Sequence, residues 1–85
     1  RRELALYSIE AGHDETAARM LAGVAKQASD AGLALDQVAA ARRSAPVLDR
    51  MGRTRERRAM AQAALAAAEG FPDSPALREV AAAAK

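Results

Sequence analysis

The 85-residue sequence contains no cysteine and no tryptophan, and it has one phenylalanine, one tyrosine and one histidine. The absence of cysteine excludes disulfide bonds and thiolate metal sites, and a single histidine cannot form a histidine-rich metal cluster. Strands draw on aromatic and β-branched residues, so the scarcity of these residues excludes an all-β fold. No window approaches about 18 uninterrupted bulky apolar residues, so the sequence predicts no membrane span.

Alanine is the dominant residue. It fills 25 positions, whereas bulky apolar residues fill only 18, and 28% of the residues are charged. This composition is typical of a soluble helical domain with a small core. We therefore expect one domain over residues 1–85 that is stabilised by neighbouring repeats, self-association or a partner. We also expect the chain to be cytoplasmic, because no signal peptide is visible. We expect it to be a fragment of a longer protein, because it begins at Arg1 and ends within an alanine run at Lys85.

Glycine and proline residues divide the sequence into about five predicted helices. Gly12 is expected to end the first helix, leaving His13 in an exposed turn, and Asp14 is expected to cap the second helix. The second helix ends at Gly32 and carries an apolar stripe that is predicted to supply much of the core. The apolar faces of these two helices are Leu4, Tyr7 and Ala11, then Ala17, Met20, Leu21, Val24 and Ala28.

Pro46 interrupts the third predicted helix. The helix either kinks there or stops and restarts with Ser44 as a cap, and we favour a kinked helix that continues to Met51 before Gly52. Its apolar stripe comprises Leu35, Val38, Ala41, Ala45 and Leu48.

The last two predicted helices follow clear turn signals. Thr54 is expected to cap the fourth helix, which Gly70 ends, and Ser74 is expected to cap the fifth, with Pro75 at its first position. The fourth helix has one apolar face, on which Leu65 is predicted to be nearly fully buried, and one polar face. These faces are Met60, Ala61, Ala64, Leu65 and Ala68, and opposite them Arg55, Arg58 and Gln62.

A short internal repeat occurs in the sequence. The string ALDQVAAA recurs 42 residues later as ALREVAAA, with six of eight positions matched. Matches of alanine mean little in an alanine-rich chain, so the signal comes from Leu35 with Leu77 and Val38 with Val80. A period near 40 residues that contains two helices is typical of α-helical repeats.

Small and apolar residues are spaced in a similar way around Gly12 and Gly52. They are Leu4, Ala5, Gly12, Ala17 and Leu21, then Ala45, Leu48, Gly52, Ala61 and Ala64. This pattern resembles that of tetratricopeptide (TPR) repeats. Arg57 departs from it, because the family has a small alanine there, and the period is longer than the family's 34 residues. The stretch from Arg50 to Gly70, followed by SPALREV, is similar to the repeat regions of bacterial regulators.

The resemblance implies an all-α fold of antiparallel helical hairpins stacked as repeats, with a simple helical bundle as the alternative. It also implies a groove into which Arg42, Asp49 and Arg50 point, and which binds a protein or an acidic peptide. We therefore expect a non-enzymatic interaction or scaffold domain of a larger bacterial protein, such as a regulator. We expect no catalytic residues, metal, cofactor or membrane contact, since carboxylates are scattered and glycines isolated.

Two alternative functions are considered. The stretch Arg42–Arg58 contains seven arginines and two acidic residues, and residues 41–70 carry a charge of +4 against −2 for residues 1–40. Such a cluster is typical of phosphate contacts, so a small helical nucleic-acid-binding domain is the first alternative. The second is a phosphotransfer helix at His13, which an acidic residue follows as in histidine-kinase phosphoacceptor helices. We expect His13 instead to be an exposed residue with no chemical role.

Overall fold

The computed structural model describes residues 2–85, with side chains described from His13 onward. These residues form four helices and no strand, which confirms the all-α prediction, whereas the prediction of about five helices is wrong. The helices are α1 (Arg2–Ala31), α2 (Ala34–Arg50), α3 (Thr54–Ala67) and α4 (Pro75–Ala83). None of the described helices is both long enough and apolar enough to cross a membrane.

Helix α1 is a single helix of 30 residues that runs through Gly12, where we predicted a break. A glycine inside a helix costs about 1 kcal/mol relative to alanine, and packing against a neighbouring helix offsets a cost of this size. Asp14 is therefore a residue of the helix interior and not a cap. His13 is exposed, as predicted, but it lies in a helix rather than in a turn. Three predicted core residues lie outside the described side chains: Leu4, Tyr7 and Ala11.

The turns α1–α2 and α2–α3 share one hydrogen-bonding pattern. Gly32 and Gly52 each have φ of +72°, a left-handed conformation that favours glycine, so both predicted helix ends are confirmed. In each turn, the residue after the glycine donates its N–H to a carbonyl five residues earlier, at 2.8 Å. Because Arg53 then serves directly as the N-cap of α3, Thr54 is already helical and its predicted capping role is wrong.

The start of α4 is as predicted. The Ser74 hydroxyl oxygen accepts a hydrogen bond from the Leu77 N–H at 3.3 Å, and Pro75 occupies the first turn of the helix, where no N–H is needed. Gly70, with φ of +88°, lies in the turn that follows α3.

Helix α2 continues through Pro46 to Arg50, with Met51 as its C-cap, which confirms that the helix does not stop at the proline. Since proline has no N–H, the carbonyl of Arg42 loses its usual helical donor. Ser44 is not a cap: its side chain is buried, and its hydroxyl donates to the Ala40 carbonyl at 2.7 Å.

Helix α2 is the centre of the fold, because it packs against α1, α3 and α4, and α3 also packs against α4. Most of the core is alanine, whose small side chain lets helix axes approach closely. Leu65, predicted to be nearly fully buried, is only half-buried at the edge of the larger cluster. The larger core cluster comprises Val38, Ala41, Ala61, Ala64, Ala68, Val80 and Ala83, and the smaller one comprises Ala18, Val47 and Leu48.

The apolar stripe predicted on the second half of α1 is mostly not in the core. Met20 is 66% exposed and Val24 is 46% exposed, while Leu21 is half-buried. The buried residues of this segment are Ala28, which the predicted stripe includes, and Ala18, which it does not. Helix α1 therefore packs closely on α2 through small side chains and leaves its larger ones near solvent.

We expect Leu48→Ala to lower the free energy of unfolding by about 2–5 kcal/mol, because truncating a buried leucine leaves a cavity. Leu48 is 2% exposed in the α1–α2 contact. Met20→Ala should change the free energy of unfolding by less than about 0.5 kcal/mol, as ordinary surface substitutions do. Urea denaturation followed by circular dichroism measures both values. Equal losses in the two variants would mean that this contact is assigned to the wrong face of α1.

Candidate interaction surface

Two open grooves run beside α2, one toward α4 and one toward α1. Their volumes are about 740 Å³ and 520 Å³, so each is large enough to accept side chains of a partner. The main lining residues of the α2–α4 groove are Leu35, Val38, Ala39, Arg42, Arg43, Pro46, Asp49, Arg57, Ala76, Leu77 and Glu79. Those of the α1–α2 groove are Leu21, Val24, Gln27, Ala28, Ala31, Leu33, Asp36, Ala39, Ala40 and Arg43.

The two grooves share Ala39 and Arg43, which are exposed and lie one helical turn apart on α2. A smaller end pocket joins them at the start of α2. Leu33 lines both this pocket and the α1–α2 groove, and Leu35 lines both the pocket and the α2–α4 groove. The remaining lining residues of the end pocket are Gly32, Ala34, Asp36 and Phe71. The two grooves and the end pocket together form one continuous surface, the α2 surface.

The large apolar side chains that the described residues expose are concentrated on the α2 surface. They are Met20, Val24, Leu33, Leu35 and Phe71, and all but Met20 line it. Leu35 was predicted to belong to the core, but it is 63% exposed because it faces the groove rather than a neighbouring helix. Single exposed apolar residues are ordinary, whereas a contiguous group of them marks a binding surface.

Four of the seven arginines in the stretch Arg42–Arg58 form ion pairs with carboxylates of other helices. The pairs are Arg42 with Glu79, Arg50 with Asp14 (3.0 Å), Arg53 with Glu15 (3.0 Å) and Arg57 with Asp49 (2.9 Å). Acidic residues of α1 thus meet two arginines from the basic middle of the chain. The charge asymmetry seen along the sequence is partly neutralised in the folded structure.

The three residues predicted to bind a partner do not face one groove. Arg42 and Asp49 line the α2–α4 groove, and each is already in an ion pair. Arg50 is not among the described residues that line it, and its guanidinium donates to Asp14 of α1. The reason is helical geometry, because adjacent residues point about 100° apart around the axis.

Arg43 is the lining residue that the sequence interpretation missed. It borders both grooves, and no carboxylate of the described side chains forms an ion pair with it. A signal for it was present, because Leu35, Ala39 and Arg43 recur every four residues and so share one face of α2. The end pocket had no comparable signal, since Phe71 comes from a turn far along the chain.

Asp14 and Arg50 connect α1 to the end of α2. The Arg50 guanidinium donates to both carboxylate oxygens, at 3.0 and 3.4 Å. This hydrogen bonding, with a smaller contribution from charge attraction, lowers the pKa of the Asp14 carboxyl below its ordinary value, against a smaller opposing effect of burial. The ionised carboxylate is therefore the form that the folded structure favours.

We expect the melting temperature of Asp14→Asn to fall less at low pH than that of the wild type. A carboxyl whose pKa is lowered by folding stabilises the protein above its unfolded pKa of about 3.9, and this stabilisation is lost as the pH falls through the lower folded value. The wild type should therefore lose melting temperature more steeply than Asp14→Asn below about pH 4. Thermal melts from pH 7 to pH 2 measure this.

Asp30→Asn is the matched control, because Asp30 is an exposed α1 carboxylate that pairs with none of the described cations. It should keep the acid sensitivity of the wild type. If both variants reduce the loss of melting temperature at low pH equally, the contribution of the Asp14–Arg50 pair to stability is contradicted.

Comparison of the chain with protein-family models, with curated proteins and with solved structures found no match. Among the described residues, no group of three or more histidine, aspartate or glutamate side chains is placed to hold a metal ion. The functional interpretation therefore depends on the geometry and charges of the α2 surface.

Proposed function

We propose that this chain is a non-enzymatic protein-interaction domain of a larger protein, and that its partner binds the α2 surface. The concentration of exposed apolar side chains there is the observation that supports the proposal. Covering such side chains contributes about 25 cal/mol for each Å² of apolar area removed from water, and the freedom that the two partners lose on binding offsets part of this gain. The charged residues at the groove edges then favour one partner over another.

The internal repeat supports the TPR-like form of this proposal. Val38 and Val80 are both buried in the larger core cluster, and Leu35 and Leu77 both line the α2–α4 groove. The two valine positions of the repeat thus have matched burial, and the two leucine positions line one groove, with Leu77 half-buried and Leu35 exposed. On this interpretation, α2 and α4 are the first helices of successive hairpins, and the groove between them is the concave side of a stacked array. The proposed role as a scaffold segment of a bacterial regulator depends on the same resemblance.

We expect a bound peptide to occupy the α2 surface. Helical peptides selected from a displayed library against the immobilised chain would be titrated into the ¹⁵N-labelled protein. Amide shifts should be concentrated on α2 from Leu35 to Arg43 and on the two helices that border the grooves, around Leu77 on α4 and around Val24 on α1. Leu35→Lys should weaken binding more than about tenfold, because it places a charge where an apolar side chain must be buried.

Ala63→Lys is the control for this experiment, since Ala63 is exposed on α3 and lines neither of the two grooves nor the end pocket. It should leave the affinity within about twofold. Failure to select any peptide, or amide shifts confined to α3, would contradict the proposed function.

The exposure of Arg55 and Arg58 is the observation that favours the nucleic-acid alternative. Both are exposed on α3, as is Gln62, which confirms the predicted polar face. None of the described carboxylates pairs with either arginine. With Arg43, they make three arginines of the cluster that can contact phosphate without breaking an ion pair.

We expect any binding of duplex DNA to be weak and only moderately salt-dependent. Three phosphate contacts give a slope of log K against log salt concentration of about −3, whereas seven would give about −6. Fluorescence anisotropy of a labelled duplex across a salt series measures the slope. A value near −6 would show that the interhelical ion pairs open on DNA, and would favour the nucleic-acid function over the protein-binding one.

A further inference from the structure

The ridge between the two grooves is low at Ala39. This residue is exposed, its side chain is a single methyl group, and it lines both grooves. Leu35 and Arg43 lie one turn before and one turn after it on the same face of α2. A partner segment that crosses α2 at Ala39 therefore comes close to the helix, with an apolar side chain on one flank and a guanidinium on the other.

The spacing of the grooves favours a helical partner. Neighbouring helices pack at about 8–10 Å, so grooves on either side of α2 are separated by a similar distance. Side chains seven residues apart on a helix lie on one face, about 10.5 Å apart along its axis. On one face of a strand the spacings are about 6.7 and 13 Å, and neither matches.

The charge at the crossing favours an acidic residue in the partner. Arg42 and Arg57, the other arginines of the α2–α4 groove, are already paired with Glu79 and Asp49. Arg43 has no such pair among the described residues. A residue three or four positions after the first apolar anchor lies between the two anchors on the same helix face, and a carboxylate there is within reach of Arg43.

We propose that the partner is an amphipathic helix that crosses α2 over Ala39, with one apolar side chain in each groove and a carboxylate on Arg43. This inference rests on the proposed protein-binding function and specifies its partner class. Its sequence pattern is two apolar residues seven positions apart, with aspartate or glutamate three or four positions after the first.

The experiment uses the full chain and a displayed library of helical peptides in which one face is randomised. Selected peptides should share the proposed pattern. Arg43→Gln should weaken the best peptide about five- to tenfold, whereas Arg58→Gln, on the outer face of α3, should change its affinity less than about twofold. Ala39→Leu, which fills the crossing point, should weaken it more than about tenfold, and Ala63→Leu is the matched control.

A peptide in which the acidic residue is replaced by its amide tests the pairing directly. This replacement should weaken binding to the wild type about five- to tenfold and should have less than about a twofold effect on Arg43→Gln, because the two changes remove one interaction. Some peptides could lose affinity with Leu35→Lys but keep it when their acidic residue is replaced by the amide and when Arg43 is replaced by glutamine. Such peptides would overturn this inference and leave the proposed function intact. Recovery of no peptide, or of peptides insensitive to Leu35→Lys, would overturn both.

Discussion

Close packing of α2 against the other three helices is the constraint on which the rest of the structure depends. Ala40, Ala41 and Ser44 are buried along α2, and their small side chains let neighbouring helices approach from more than one side. Each groove is the space between α2 and one neighbour. The face with Ala39 and Arg43 remains open, so the same packing that forms the core also determines which residues of α2 can meet a partner.

Ion pairs between helices determine which arginines of the stretch Arg42–Arg58 can bind an anion directly. Exposed pairs of this kind contribute little to stability, about 0–1 kcal/mol each. Their larger consequence is that a paired arginine must exchange one carboxylate for another before it binds an anion. Arg42 and Arg57 are in this position. Arg43 is not paired with any described carboxylate, and the proposed specificity of the α2 surface follows from this difference.

The candidate site was only partly predictable from the sequence. The family resemblance suggested a groove bordered by Arg42 and Asp49, and both residues do line one. Arg50 was assigned to the same groove, but it pairs with Asp14, which is 36 residues away. The end pocket was not foreseen, because it depends on Phe71 lying beside the turn that precedes α2. Residues that share a helix face follow from periodicity, whereas the element that a face meets does not.

The sequence by itself determined the features that depend on interactions within a few residues. The helix ends at Gly32 and Gly52 follow from the left-handed conformation that glycine adopts without strain, and the cap at Ser74 follows from a hydroxyl beside a free N–H. Only the tertiary structure decided whether Gly12 stays helical and whether Met20 is covered. Those outcomes depend on contacts between distant segments, because a helix packs on whichever face its neighbour approaches most closely.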